Sequence, residues 1–513
     1  MKGRRWLVPC IAALGLLVAA CGRGDDDDAD STTAPPAAET TAASTAAPDT
    51  TAGGDATTAA PGTTTGGDAT TAAPETTTAP TEEGYALKPA DIEAKCKSEP
   101  LQATEVGVSE SEITIEVSAD VGSALAPGLF QGNFDAITAF ADYVNANGGI
   151  GCRKLVAKTW DSKLDANESK NGQIDACQNA VAMVGNNSLF NPDMTTVATC
   201  ADKSGAATGL PDLAALANDT NELCNPTTFV IQIVAEPCPI PMGSPRDITQ
   251  VRGPIQYLAD QHPEGLHGLF MVPGDLPTTR QSAVAIIAAQ ESAGITFDGK
   301  ALVSGRDEQA AFTPRVQVLK AANGNYVYDG SNDVAMMKMQ KEAAAQGMDT
   351  SKIVWSCSLA CYTKNFKENA GSTGEGTYVW MQFLPFEEAD TNAALAAYVD
   401  SVGADKVDSF GAQAWQAAMA FNQIVNQIVA DEGPNAITRA NLLKYMAELE
   451  NFSADGWSAP KSLRGVSECF VSLQLKGGEW VRAFPEERGT FDCKPENLVT
   501  VNVEPVSAAE QFE

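Results

Sequence analysis

The chain has 513 residues, with 34 Lys and Arg against 66 Asp and Glu, a formal charge of -32 and a pI near 4.3. That length exceeds one ordinary hydrophobic core and predicts two lobes. The acidity excludes nucleic acid as a partner, because phosphate binding needs a basic face that releases counterions. Only two histidines are present, so triad, general-base and zinc schemes lack their usual parts, and neither a cofactor nor a metal is expected. His262 and His267 share one stretch, DQHPEGLHG, which reads as a solvated turn before a strand.

In chain order, residues 1–20 carry Lys2, Arg4 and Arg5, an apolar run from Trp6 to Val18, and then small residues before Cys21. This pattern predicts an export signal, too short and wrongly flanked for a spanning helix. Its end, Val18-Ala19-Ala20-Cys21-Gly22, resembles the lipobox of bacterial lipoproteins. The resemblance implies cleavage before Cys21 and acylation of its thiol, with about 0.8 kcal/mol of anchoring per buried methylene. The protein is then expected at the extracytoplasmic face of the cell membrane, held by its lipid and not by a spanning segment.

Residues 21–85 are Thr, Ala, Pro, Gly and Asp with almost no large apolar side chain, and Gly-Gly-Asp-Ala-Thr-Thr-Ala-Ala-Pro occurs twice, from Gly53 and from Gly66. Such a stretch cannot bury enough surface to offset its ordering entropy, so it is expected to be a disordered tether. Its r.m.s. span would be on the order of 45 Å.

The remainder alternates strand and helix. Glu112–Val117 predicts a strand, Asn133–Ala146 a helix stopped by Asn147-Gly148-Gly149, and Lys154–Trp160 the next strand. Gly172–Met183 predicts a helix running into a strand, and Val184–Ser188 ends that unit. A second series begins near Leu266. It predicts strands at Leu266–Val272, Lys300–Ser304, Asn325–Tyr328 and Lys352–Trp355, with helices at Thr279–Ala293, Phe312–Ala321 and Val334–Gln346 between them. Asp408–Asp431 reads as a long helix with Trp415, Met419, Ile424 and Ile428 on its core stripe. Cys469–Leu475 and Glu479–Phe484 read as a closing hairpin. Two serial runs of this rhythm predict an α/β fold with two Rossmann-like lobes, each on a parallel sheet.

Past Cys21, ten cysteines follow. An even number in an exported chain reads as disulfides, and no second pair accompanies Cys357-Ser-Leu-Ala-Cys361 to make a zinc site. The expected bridges are Cys357–Cys361, Cys469–Cys493 and Cys200–Cys224.

Tyr143-Val-Asn-Ala-Asn-Gly-Gly-Ile-Gly-Cys-Arg-Lys-Leu155 resembles the signature of the branched-chain amino-acid type of solute-binding protein, which serves ABC importers. The order of elements is similar from about Val108 to Val501. The resemblance implies the type I periplasmic binding fold, in which three crossovers form a hinge between two lobes that close on a small ligand. It implies lobe 1 at 105–240 plus 387–455 and lobe 2 at 241–386 plus 456–502. It also implies a small-molecule solute and a membrane ABC permease as partners, with the chain itself a monomer and no enzyme. A sensor lipoprotein signalling to a membrane partner is the alternative, and no carboxylate pair stands out for a hydrolase.

In parallel sheets ligands bind beyond the carboxyl ends of the strands, which nominates Ser118, Asp120, Asn187, Ser188, Asp275, Thr278, Asp329, Asn332 and Ser356. By resemblance, Asn186-Asn187-Ser188 matches the loop that holds a ligand carboxylate, and Asp212 with Ala214 falls at the next ligand loop, without its Thr. The aromatic ring and the acid that would face a ligand ammonium are replaced by Ser331-Asn332 and Ser356-Cys357, leaving Asp329 or Asp275 as candidates. These departures point away from a standard branched-chain amino acid and toward another small polar solute. Gly294–Ala301 matches a phosphate loop except at its last position, yet enters a predicted strand instead of a helix, so nucleotide is not expected.

Overall fold

The computed structural model describes residues 90–123, 128–217, 219–232, 245–274 and 277–504. The export signal, Cys21 and the tether lie outside the described residues. Among the described residues, no helix is long and apolar enough to cross a membrane.

The first sheet holds β1 (Glu112–Ala119), β2 (Lys154–Asp161), β3 (Ala182–Val184), β4 (Asp212–Leu216) and β5 (Thr228–Gln232), all parallel, in the order β2-β1-β3-β4-β5. β6 (Arg246–Val251) leaves this sheet. The second sheet then runs through β7 (His267–Pro273), β8 (Thr296–Val303), β9 (Tyr326–Asp329), β10 (Val354–Cys357) and β11 (Tyr378–Met381). Its parallel part has the order β8-β7-β9-β10-β11, the same winding as the first sheet. β12 (Cys469–Lys476), β13 (Glu479–Phe484) and the short β14 (Asp492–Cys493) extend it antiparallel from β11. Finally β15 (Leu498–Val503) returns to pair antiparallel with β6 as a separate two-stranded ribbon.

The sequence places these elements for local reasons. The helix Gln131–Ala146 buries Ala136, Ile137, Phe140, Ala141 and Val144 on one stripe, and its end is closed by the Gly149 N–H donating to the Val144 carbonyl at 2.7 Å. The 24-residue helix Ser409–Glu432 is capped by Asp408, whose carboxylate accepts from the Phe410 and Gly411 amides, both at 2.8 Å. It lies beside Gln131–Ala146 and over the first sheet, burying Trp415, Met419, Phe421, Ile424 and Ile428. Only glycine lets the two helices start so close: a Cβ on Gly411 would stand 2.8 Å from the Gly132 carbonyl oxygen. His262 ends the helix Gly253–Gln261 and His267 opens β7, in surface pairs with Glu264 and Asp298. The phosphate-loop lookalike runs into β8, as a strand.

Arg153, from the signature run, is buried and its guanidinium is taken up by carbonyls. It donates to Ser109 O (2.7 Å), Gly151 O (3.0 Å), Gln102 O (3.0 Å) and Pro434 O (2.9 Å). It therefore ties the first described segment to the C-terminal end of the long helix, where the helix dipole favours a cation.

Disulfides join Cys96–Cys152, Cys357–Cys361 and Cys469–Cys493, the last across the register of β12 and β14. The expected Cys200–Cys224 bridge is not formed; Cys200 pairs with Cys177. Cys177 sits in the last turn of the helix Ala166–Asn179, and Cys200 follows the short helix Thr195–Ala198 packed against it, with the Cα atoms 5.8 Å apart. Buried Arg439 fastens the same corner, donating to Cys177 O and Ala180 O at 2.7 Å each. Sequence spacing alone could not show that these two helices meet. Non-reducing peptide mapping is expected to recover a fragment linking Cys177 to Cys200; a Cys200–Cys224 fragment would reject this corner of the fold. Replacing Cys177 and Cys200 together with Ala should cost about 3 kcal/mol in urea unfolding, from the loop entropy returned to the unfolded chain.

Three acids are buried in the sheets. Burial, with the neighbouring Asp175 carboxylate, pushes Glu116 up to about 8; burial raises Asp329 to about 7 and Asp212 to about 6. The folded chain thus holds protons that the unfolded chain releases, so stability is greatest near the unfolded carboxylate range and declines as pH rises through 6 to 8. Lys461, lowered to about 7 by burial, is charged in both states below that point and acts in the opposite sense only above it. The melting temperature is expected to fall from pH 5 to pH 7, and Glu116→Gln should flatten the fall. A melting temperature that rises over this window would contradict the burial of these groups.

Candidate functional site: a cleft at the strand ends

Both sheets end their parallel strands on one cleft of about 840 Å³, within the usual range for small-molecule sites. From the first sheet come Leu129 and Phe130 after β1, Leu164 after β2, Leu189 and Phe190 after β3, and Leu216 and Ala217 at the end of β4. From the second come Pro273 of β7, Val303 and Ser304 at β8, Gly330 and Ser331 after β9, Leu359 after β10, and Trp380 and Met381 of β11. The ribbon strand β6 adds Ile248 and Gln250, and the long helix adds Phe410 and Gln413.

The residues nominated at the strand ends distribute unevenly around this cleft. Asn332 lines it, and its Oδ1 caps the helix Asp333–Ala345 by accepting from the Ala335 amide at 3.0 Å. Ser118, Asp120, Asn187 and Ser188 are buried behind the lobe 1 wall. The Ser188 hydroxyl lies 3.2 Å from that of Ser118 and 2.9 Å from that of Ser162, which donates to Asp120 at 2.6 Å. Asp120 also accepts from the Leu164 amide (2.7 Å) and the Leu189 amide (2.8 Å). Asp120 thus holds in place the two loops whose apolar residues face the cleft; burial raises its pKa, which these hydrogen bonds oppose. Asn187 joins the sheet through its backbone, while both polar atoms of its side chain are buried without a hydrogen-bond partner among the described residues.

Asp212 opens β4 and Ala214 lies in its middle, so neither is at its carboxyl end. Asp212 accepts from Asn186 Nδ2 and Thr228 Oγ1, each at 2.7 Å, so it ties β3 to β5. In the second sheet Asp329 is fully buried at the end of β9 and accepts from the Ser331 amide (2.7 Å) and hydroxyl (2.5 Å), while its Oδ2 has no partner among the described residues. Ser356 is buried in β10. Asp275 lies outside the described residues, and Thr278 is described only as backbone in the helix Pro277–Ser292. Asp329 stands close to the sulfurs of Cys357 and Cys361, but both sulfurs are spent in their disulfide, which leaves a lone carboxylate and no ligand set for a metal.

Some of the residues that face the cleft and were not singled out in the sequence are apolar neighbours of those that were: Leu189 and Phe190 follow Ser188, and Val334 follows Asn332 at two residues. The available signal was a large apolar residue directly after a polar strand end, where a plain solvent turn would stay polar.

No curated protein matches the chain. The family model described as "Periplasmic binding protein" matches residues 112–468. Among solved structures, a leucine binding protein from Thermotoga maritima is similar at 10% identity and a TM-score of 0.56, covering 72% of this chain and 97% of its own. An extracellular ligand-binding receptor from Rhodopseudomonas palustris gives 13% identity and a TM-score of 0.55, over 73% of this chain and all of its own (100%). An ABC transporter solute-binding protein from R. palustris, in complex with benzoate, gives 16% identity and a TM-score of 0.54, over 75% of this chain and 98% of its own. At these identities the likeness concerns the fold. Twin parallel sheets wound alike, a shared cleft at their strand ends and a family match over most of the folded part give one conclusion: the chain belongs to the periplasmic binding protein family, with the type I fold of its branched-chain amino-acid ABC transporter members.

Proposed function

We propose that the chain captures a small solute by closing its two lobes and presents it to the permease of an ABC importer, without altering it. Cys21 carries the lipid that keeps it at the extracytoplasmic face of the membrane, and residues 21–85 are the tether. Lobe 1 comprises 105–240 with 387–455, and lobe 2 comprises 241–386 with 456–502. The observation that carries this reading is the cleft to which the strand ends of both sheets contribute. Parallel strands deliver loops and helix starts there, and a solute touching both walls favours the closed form over the open one by its differential contacts.

The walls place an aromatic ring on each side, Phe410 from the long helix and Trp380 from β11, both half-buried. Half-buried rings can gain further burial when a ligand arrives, worth about half of the roughly 1.5–3 kcal/mol of a full burial. Native mass spectrometry of the chain purified from its own cell envelope is expected to show a co-purified solute. Phe410→Ala and Trp380→Ala should each weaken that solute at least tenfold in calorimetry, with circular dichroism unchanged. A solute bound with unaltered affinity by both variants would remove the cleft from consideration.

A further inference from the structure

Resting on the cleft being the solute site, we propose that its solute is uncharged and largely apolar, and is held by carboxamides instead of ion pairs. Three observations converge. First, the apolar character of the walls is continuous: Leu129, Phe190 and Phe410 on one side meet Ile286, Val334 and Trp380 on the other. A cleft so lined favours a ligand that removes apolar surface from water.

Second, formal charge is scarce. Among the described residues, those lining the cleft include one acid and one base. The acid, Asp333, already accepts from Thr363 Oγ1 at 2.7 Å and Asn365 Nδ2 at 2.8 Å, and the base, Arg306, is exposed to solvent. A zwitterion would need an anion site and a cation site together; without them, an ion drawn from water pays its desolvation uncompensated. The described acids nominated in the sequence do not supply a charge either: Asp120 is committed to Ser162 and two loop amides, Asp212 to Asn186 and Thr228, and Asp329 is buried behind the wall.

Third, the polar atoms left open in this wall are neutral. Among the described residues, Gln250 Nε2, Gln290 Nε2 and Gln413 Oε1 have no hydrogen-bond partner. Their residues line the cleft while being only 6%, 1% and 1% exposed. Gln290 is oriented by the Tyr326 hydroxyl, which donates to its Oε1 at 2.8 Å. Gln250 comes from β6, Gln290 from the helix Pro277–Ser292 and Gln413 from the long helix over the first sheet, so carboxamides from both lobes converge on one space. A carboxamide turned about its last bond exchanges donor for acceptor, so these three can meet a hydroxyl, carbonyl, ether or amide, and buried polar groups gain most when such a partner arrives. The ligand class that fits is a neutral molecule with an extended apolar body and a few hydroxyl, carbonyl or amide groups.

The test uses the purified full-length chain with three probes that share an aliphatic body and differ in charge: octanamide, sodium octanoate and leucine, by calorimetry and thermal shift at pH 7.5. Octanamide is expected to bind at least tenfold more tightly than octanoate, with no detectable heat from leucine. Gln413→Leu and Gln250→Leu should each weaken octanamide fivefold or more while leaving the melting temperature unchanged or higher, since each removes an unpaired polar atom; a variant that merely damaged folding would melt lower. Octanoate or leucine binding as tightly as octanamide overturns the ligand class and leaves the cleft as a solute site. No binding of octanamide also overturns the class. The broader solute-binding reading fails separately, on the absence of any co-purified molecule and of any effect of Trp380→Ala.

Discussion

In a parallel sheet all strands finish on the same edge, and this constraint organises the molecule. Two sheets wound in the same order, β2-β1-β3-β4-β5 and β8-β7-β9-β10-β11, each collect five loop starts on one side. With those edges on a common space, the cleft is a consequence of topology and needs no dedicated element to create it. The antiparallel additions β12, β13 and β14 extend the second sheet from β11, away from β7 and β9, and so leave its central strand ends open.

Much of this was legible in the sequence because it depends on periodicity and punctuation. The strand at Glu112, the helix ending at Asn147-Gly148-Gly149, the long helix near Asp408 and the hairpin from Cys469 fall within a few residues of their observed bounds. Those patterns are local, and a buried stripe or a glycine stop survives whatever the tertiary context. The pairing of Cys177 with Cys200 was not legible, because it requires knowing that two helices pack at one corner.

Of the nominated side chains that are described, Asn332 lines the cleft and the others lie behind its wall. Polar residues at strand ends such as Asp120, Ser188 and Asp329 were natural candidates for touching a solute, yet the same chemistry suits them for holding loops. A carboxylate with amides from two loops on its oxygens organises backbone better than it greets a ligand, and the next apolar residue along faces the space. Composition could not separate the two roles, because both demand a short polar side chain at a turn. The signature arginine makes the same point: Arg153 is spent on four carbonyls that join distant segments. That part of the motif therefore reports on folding and is silent about cargo.

The ribbon of β6 and β15 brings residues 246–251 together with residues 498–503, so the strand that gives the cleft Ile248 and Gln250 is paired with the last described strand. A chain made from its N-terminus onward lacks this partner for β6 until almost everything else has emerged. Until residues 498–503 have been made, β6, and with it the stretch of wall that Ile248 and Gln250 form, has an unpaired edge.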